Sequence, residues 1–151
     1  MKILAIDPGA GGGLAWDCIN TETATMKMPD TMGDIADTIR TIVTSNRIDT
    51  VCIENVGGYM PGNSGPAAVK FAKHIGHLEA ICYMLTVRVV KVAPASWMKV
   101  LGTFPKGSDS KSKAARKNAI KGVIQTRFPA LSVTLKTSDA LGILEWARRQ
   151  R

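Results

Sequence analysis

The sequence predicts a mixed α/β sheet built as a single domain over residues 1–151. Three observations carry that reading. Short strand patterns open the chain, strands and amphipathic helices then alternate, and the length suits one compact hydrophobic core.

Residues 2–6 (K-I-L-A-I) are β-prone and nearly all apolar, as in a strand buried on both faces, and Asp7-Pro8-Gly9 stops it. Residues 10–13 supply a glycine-rich turn, after which 14–16 and 24–28 read as two more strands of an antiparallel meander. From 31 to 45, Met32, Ile35, Ile39, Ile42 and Val43 recur at helical spacing, with Asp34 and Asp37 in the early turns, where the helix dipole favours acids. Residues 49–54 then form a buried strand ending at Glu54. Residues 55–65 (N-V-G-G-Y-M-P-G-N-S-G) hold too much glycine and proline for regular structure and predict a loop.

Pro66 suits a first helical residue, and an apolar stripe through Phe71, Ile75, Leu78 and Cys82 predicts the longest helix, 66–85. Residues 87–93 read as the last strand, 94–101 as a short helix and 102–110 as a loop. A strongly basic helix follows over 111–128, closed by Pro129. The final helix starts near Thr137 or Ser138, either of which can cap it, and ends in the basic Arg148, Arg149 and Arg151.

Lys and Arg number 20 against 12 Asp and Glu, a formal charge of +8. The excess is uneven: residues 1–87 hold 6 basic and 9 acidic side chains, residues 88–151 hold 14 and 3. An acidic pocket from the first part facing a basic surface from the second is the charge layout of an enzyme acting on nucleic acid. A merely solubilising surface is the competing explanation. Cys18, Cys52 and Cys82 are odd in number and form no C-x-x-C pair, so neither a disulfide framework nor a zinc knuckle is encoded, and a reducing cytoplasm is expected. No stretch approaches the roughly 18 apolar residues of a membrane helix.

Sites in α/β sheets collect at strand ends, and two acids end predicted strands here: Asp7 and Glu54. A third, Asp139, opens the last helix, where it can lie over the same sheet edge. Three converging carboxylates repel one another unless cations sit between them, and hard oxygen ligands suit Mg²⁺ or Mn²⁺. Taken singly, each acid has a plainer explanation as a turn residue, a loop flank or a helix-cap acid.

The strings I-L-A-I-D-P-G (3–9), C-I-E-N-V (52–56) and S-D-A-L-G-I (138–143), in this order and spacing, resemble the RuvC group of Holliday-junction resolvases within the RNase H-like superfamily. The resemblance spans nearly the whole chain. It takes in K-F-A-K-H-I-G-H-L-E-A-I (70–81), whose Gly76 matches a glycine of the family's long helix, V-A-P-A-S-W-M-K (92–99), and the lysine-bearing Ser110-Lys111-Ser112-Lys113. The length is similar to the compact versions encoded by bacteriophages. The resemblance implies an RNase H-like five-stranded sheet flanked by helices and a two-metal phosphodiesterase, with Asp7 bridging both Mg²⁺ ions and Glu54 and Asp139 each completing one side. It implies resolution of four-way junctions by paired nicks that leave 5′-phosphate and 3′-hydroxyl ends, in DNA recombination, repair or phage DNA processing. One position departs from the family: where an Asp or His usually supplies a fourth metal-site group, this chain has Lys136, which cannot coordinate while protonated. Lys136 either contacts the scissile phosphate, with Ser138 as a weaker oxygen donor, or only adds to the charge facing DNA.

In the family, the loop after the second acid places an aromatic ring against an unpaired base. Tyr59 is the candidate here, two positions beyond the usual site, which is Gly57, with Met60 as an alternative apolar wedge. Lys106, Lys111, Lys113, Arg116 and Lys117 cluster around one loop and helix start and are the expected phosphate-binding residues, a solvated helix face being the alternative. His74 and His77 stand three apart with no third ligand in view, and Trp97 and Trp146 read as core or interface residues rather than base-stacking platforms. The two-fold symmetry of a four-way junction calls for two active sites, and the family's long helix implies a homodimer through residues 66–85.

Other readings compete. One is an RNase H-type enzyme for RNA–DNA hybrids or a broader branched-DNA nuclease. Another is a catalytically impaired junction-binding module, with Lys136 as the mark of the loss. An actin-like phosphotransferase also ends its first strand in Asp and glycines, but needs two such domains.

Overall fold

The computed structural model describes residues 1–20, 22–57 and 64–150. Five strands form one sheet: β1 (Ile3–Asp7), β2 (Gly13–Asp17), β3 (Thr23–Lys27), β4 (Thr50–Glu54) and β5 (Arg88–Val92). Their order is β3-β2-β1-β4-β5, antiparallel through the meander and parallel from β1 to β4 and β5. This is the mixed five-stranded sheet flanked by helices that the sequence predicts. The parallel pairs are joined through α1 (Met32–Asn46) and α2 (Gly65–Met84), since parallel neighbours need a crossover. The chain ends in α3 (Pro94–Leu101), α4 (Ser110–Arg127) and α5 (Ser138–Arg148).

Side chains alternate along a strand, so each central strand feeds two cores. Leu4, Ile6, Val51 and Ile53 pack on one face against Ile35 and Ile39 of α1 and Leu78 and Cys82 of α2. Ile3, Ala5 and Cys52 pack on the other against α3, α4 and α5, which contribute Trp97, Ile124 and Leu141 among others. Asp7 and Glu54 share the parity of Ala5 and Cys52. Both therefore project from the C-terminal edge of β1 and β4 toward the α3, α4 and α5 layer.

α5 is pinned across that face from its far end. Asp17 of β2 is buried and accepts from Arg148 Nε at 2.9 Å and Nη2 at 2.6 Å, and from the Ile3 amide at 3.0 Å. The guanidinium also lies 5.8 Å from the centre of the Phe128 ring. Arg148, which the sequence placed only as a basic residue favourable at a helix end, is thus a tether between helix and sheet.

Several details differ from the sequence expectation. The long helix begins at Gly65, with the Ser64 hydroxyl accepting from the Ala67 amide at 3.4 Å, because a serine one position ahead of Gly65-Pro66 supplies the cap. Thr137 stands at the N-cap of α5 without capping it; its hydroxyl accepts from the Thr134 amide at 3.0 Å instead. The apolar stripe of α2 is only partly interior: Leu78 and Cys82 are buried and Phe71 and Ile75 half-buried, while off the stripe Val69, Tyr83 and Met84 are 67%, 81% and 78% exposed. The three cysteines are free, and burial pushes the Cys52 and Cys82 thiols up to about 11, away from reactivity. Among the described residues, no helix is long and apolar enough to cross a membrane.

Candidate active site

β1 and β4 run parallel with Ile6 opposite Ile53, so the next residues, Asp7 and Glu54, end neighbouring strands at the same level. Adjacent strands lie about 4.8 Å apart, which brings the two carboxyl-bearing positions side by side. The turn after β1 folds back on itself through the Gly12 amide, which donates to the Gly9 carbonyl at 3.0 Å. Gly12 is so close that a Cβ there would fall 2.1 Å from the Asp7 carbonyl oxygen and 3.1 Å from its side-chain Cγ. Only glycine allows that approach, and the turn thereby leaves room for the Asp7 side chain at the edge. The sequence signal was the glycine run 11–13; its reason is steric.

Asp139 enters from above, in the first turn of α5, where the Ser138 hydroxyl donates to its Oδ1 at 3.2 Å. Glu54 is buried, at 8% exposed, and its Oε1 accepts from the Trp97 indole Nε1 at 2.8 Å. This contact is not visible in the sequence, which places Trp97 as a core or interface residue. Trp97 is indeed in the core, 2% exposed, and also bonded to a candidate ligand.

The electrostatics tie the acids into one unit. Asp7 has its proton affinity raised well above the ordinary carboxylate range, first by burial and then by the charges of Asp139 and Glu54. Glu54 is raised by burial and by Asp139, against the lowering effect of the Trp97 hydrogen bond and of Lys117. Asp139 is raised by burial, and Lys117, the Ser138 hydroxyl and Arg116 pull it down. Lys117 therefore acts on all three acids, and Arg116 on Asp139. The sequence grouped Lys117 with the phosphate-binding residues; the fold sets its charge against the acidic edge as well.

Among the described residues, no three His, Cys, Asp or Glu side chains close into a metal-binding cluster, so the acids share an edge without forming a finished cage. Their chemistry nevertheless fits a hard divalent cation. The donors are all carboxylate oxygens, held buried and, for Asp7 and Glu54, also against neighbouring carboxylate charge, a charge that Mg²⁺ or Mn²⁺ would compensate.

The basic residues gather on α4 and the loop before it. Asp109 caps α4 by accepting from the Ser112 amide at 2.9 Å, and Lys106, Lys111, Lys113 and Lys117 are exposed. Arg116 is half-buried, and its Nη1 donates to the Pro105 and Gly107 carbonyls at 3.4 and 3.3 Å, strapping the lysine-bearing loop to the helix. Lys136 is exposed in the turn before α5. Tyr59 and Met60 lie outside the described residues. On α2, burial holds His74 toward its neutral form, with the His77 charge adding to the effect. Trp146 is half-buried against the α5 side of the core.

An RNase H-like sheet with acids at the ends of β1 and β4 and on the last helix defines a class of fold. No family model and no curated protein matches the sequence. Among solved structures, Thermus thermophilus RuvC in complex with a Holliday junction substrate matches with a TM-score of 0.66 at 16% identity, over 99% of this chain and 96% of that one. Thermus thermophilus RuvC solved by itself gives 0.63 at 16% identity, over 99% and 97%. Fowlpox virus resolvase, in a complex with its substrate Holliday junction DNA, gives 0.51 at 14% identity, over 97% and 99%. The chain has the RuvC-like resolvase fold.

Proposed function

We propose that this chain is a structure-selective, metal-dependent endonuclease that resolves Holliday junctions by paired symmetric nicks. The observation that carries the reading is the coupling of Asp7, Glu54 and Asp139 at one sheet edge, beside a basic helix, in a fold shared with enzymes solved on junction DNA. Asp7, Glu54 and Asp139 would together hold two Mg²⁺ ions at this edge. The ions would supply a nucleophilic water and stabilise the leaving oxygen during in-line displacement at phosphorus. Attack forms a P–O bond to the water oxygen and breaks the P–O3′ bond, leaving a 5′-phosphate and a 3′-hydroxyl.

The remaining residues hold and orient the DNA. Lys106, Lys111 and Lys113 would neutralise backbone phosphates, while Lys117, next to the acids, meets the phosphate nearest the site. Arg116 keeps the loop carrying Lys106 in place. Tyr59, or Met60, would enter the opened branch point. Lys136 replaces a metal ligand with a charge, and unchanged cleavage and metal dependence in Lys136→Ala would remove it from the chemistry.

A homodimer through α2 gives the two sites that symmetric incision needs. The exposed apolar residues of α2 and an adjoining cleft of about 600 Å³, lined by Ala80, Tyr83, Met84, Val87 and Val89 and flanked by the Glu79–Lys91 ion pair, support that face as the contact. The activity belongs to DNA recombination or repair, or to phage DNA processing, in a cytoplasm that is that of a bacterial host if the chain is phage-encoded.

The test is cleavage of a labelled four-way junction beside duplex, flap and RNA–DNA hybrid, in Mg²⁺ or EDTA, with Asp7→Asn as control. Paired, ligatable nicks on the junction alone, lost in EDTA and in Asp7→Asn, are expected. Binding without cutting would instead mark a junction-binding module, and cutting of the hybrid an RNase H-type enzyme.

A further inference from the structure

We propose that Trp97 is a positioning residue for the candidate metal site: its indole N–H holds one carboxylate oxygen of Glu54 and thereby presents the other to the cation. The inference rests on the reading of Glu54 as a ligand. Trp97 Nε1 donates to Glu54 Oε1 at 2.8 Å, with both side chains buried. An indole has a single donor and a carboxylate two oxygens, so this bond uses one oxygen and leaves the lone pairs of the other free. A hydrogen bond to an ionised group is short and directional, and it fixes the rotation of the carboxylate about its last bond.

The ring has a second contact that links it to the opposite side of the site. Trp97 lies against Gly142 of α5, where a Cβ would fall 2.8 Å from ring atoms Cε3 and Cζ3. Gly142 follows Asp139 by three residues, close to one helical turn. One rigid bicyclic side chain therefore touches β4 through the Glu54 carboxylate and α5 through the Gly142 backbone. It sets how far the Glu54 donor stands from the helix that carries Asp139. Apolar packing alone would be met by Phe or Leu; the indole adds a donor, and it is spent on the Glu54 carboxylate. Partners of this kind orient metal ligands, and their loss costs about 10–100-fold in metal affinity or activity.

The experiment measures Mn²⁺ binding to the full chain by the loss of the free-ion paramagnetic resonance signal. The proteins are wild type, Trp97→Phe, Glu54→Gln and the double variant, each checked for folding by thermal melting. Trp97→Phe is expected to weaken binding about 10-fold or more. The same substitution in the Glu54→Gln background is expected to change it less than about 2-fold, because residues acting through one contact are not additive. An equal loss in both backgrounds would overturn the inference, since it would show a general packing effect. Wild-type affinity in Trp97→Phe with weakened Glu54→Gln would also overturn it while leaving the site standing. Wild-type affinity in Glu54→Gln would overturn the ligand reading and this inference together. If Trp97→Phe does not fold, β-(3-benzothienyl)alanine at position 97 keeps the bicyclic shape without the N–H; weakened binding supports the role, and unchanged binding refutes it.

Discussion

At the scale of single residues, the site stores unfavourable electrostatics that only function explains. Burial and the neighbouring charges of Asp139 and Glu54 raise the proton affinity of Asp7 well above that of the unfolded chain. Its contribution to stability is therefore fully present below the unfolded carboxylate pKa, about 3.9, and is lost as pH rises through the higher folded value. Asp7→Asn removes the charge at every pH. In EDTA at pH 7 it is expected to be more stable than wild type by about 0.5–2 kcal/mol, the usual gain when a functional strain is relieved. The advantage should shrink toward zero near pH 4, and urea unfolding at both pH values measures it. Adding Mn²⁺ is expected to raise the melting temperature of wild type but not of Asp7→Asn, because binding to the folded state alone stabilises it. A variant no more stable than wild type at pH 7 would mean that the three acids do not share one field.

Among the elements, α4 and α5 do different work. Lys111 and Lys113 are exposed at the start of α4, whereas Lys117, one turn further on, acts on all three acids. Lys111→Ala and Lys113→Ala are each expected to lower the salt slope of junction binding by about 1, with the single-turnover cleavage rate at saturating DNA unchanged. Lys117→Ala is expected to lower the slope and also the saturated rate, and filter binding with quenched-flow cleavage separates the two. For α5, Arg148→Ala removes the guanidinium that pairs with buried Asp17, and a destabilisation of about 3–5 kcal/mol is expected in urea unfolding. These elements also show what the sequence made legible. Asp7, Glu54 and Asp139 could be found because each closes a β-prone run or opens a helix, and those positions are local. The meander, crossovers and basic helix followed from periodicity and turn residues; the start of α2 moved by one residue where Ser64 caps it, and Thr137, at the expected start of α5, bonds the Thr134 amide instead of capping, which periodicity does not encode. Trp97 and Arg148 were read as core and helix end because their bonds to Glu54 and Asp17 span 43 and 131 residues. No local pattern carries such pairings; they exist only once the sheet has brought the layers together.

For the whole molecule, the unsolved surface is the outer face of α2. In most of this fold the apolar residues are inside, yet Tyr83 and Met84 stand 81% and 78% exposed beside a cleft that runs to β5. A second opening between α1 and α2, lined also by the Asp37–Arg40 ion pair, shares Met84 and Ala80 with it. Exposed apolar surface of this kind suits a contact surface, and in the proposed homodimer a second copy related by a two-fold axis would cover it with itself. Two sites would then face the two strands of a symmetric junction. Tyr83→Glu with Met84→Glu puts charge on each side of that contact and leaves the acidic edge, on the opposite face of the sheet, untouched. The double variant is expected to sediment as a monomer at micromolar concentration while the wild type sediments as a dimer, with both giving the same far-ultraviolet circular dichroism. On a plasmid that extrudes a cruciform, wild type is expected to cut both strands within one binding event and release linear DNA. The monomeric variant should release nicked circles first, because each incision then requires a separate encounter. A variant that remains dimeric, or that still linearises the plasmid in one event, would move the dimer contact off α2.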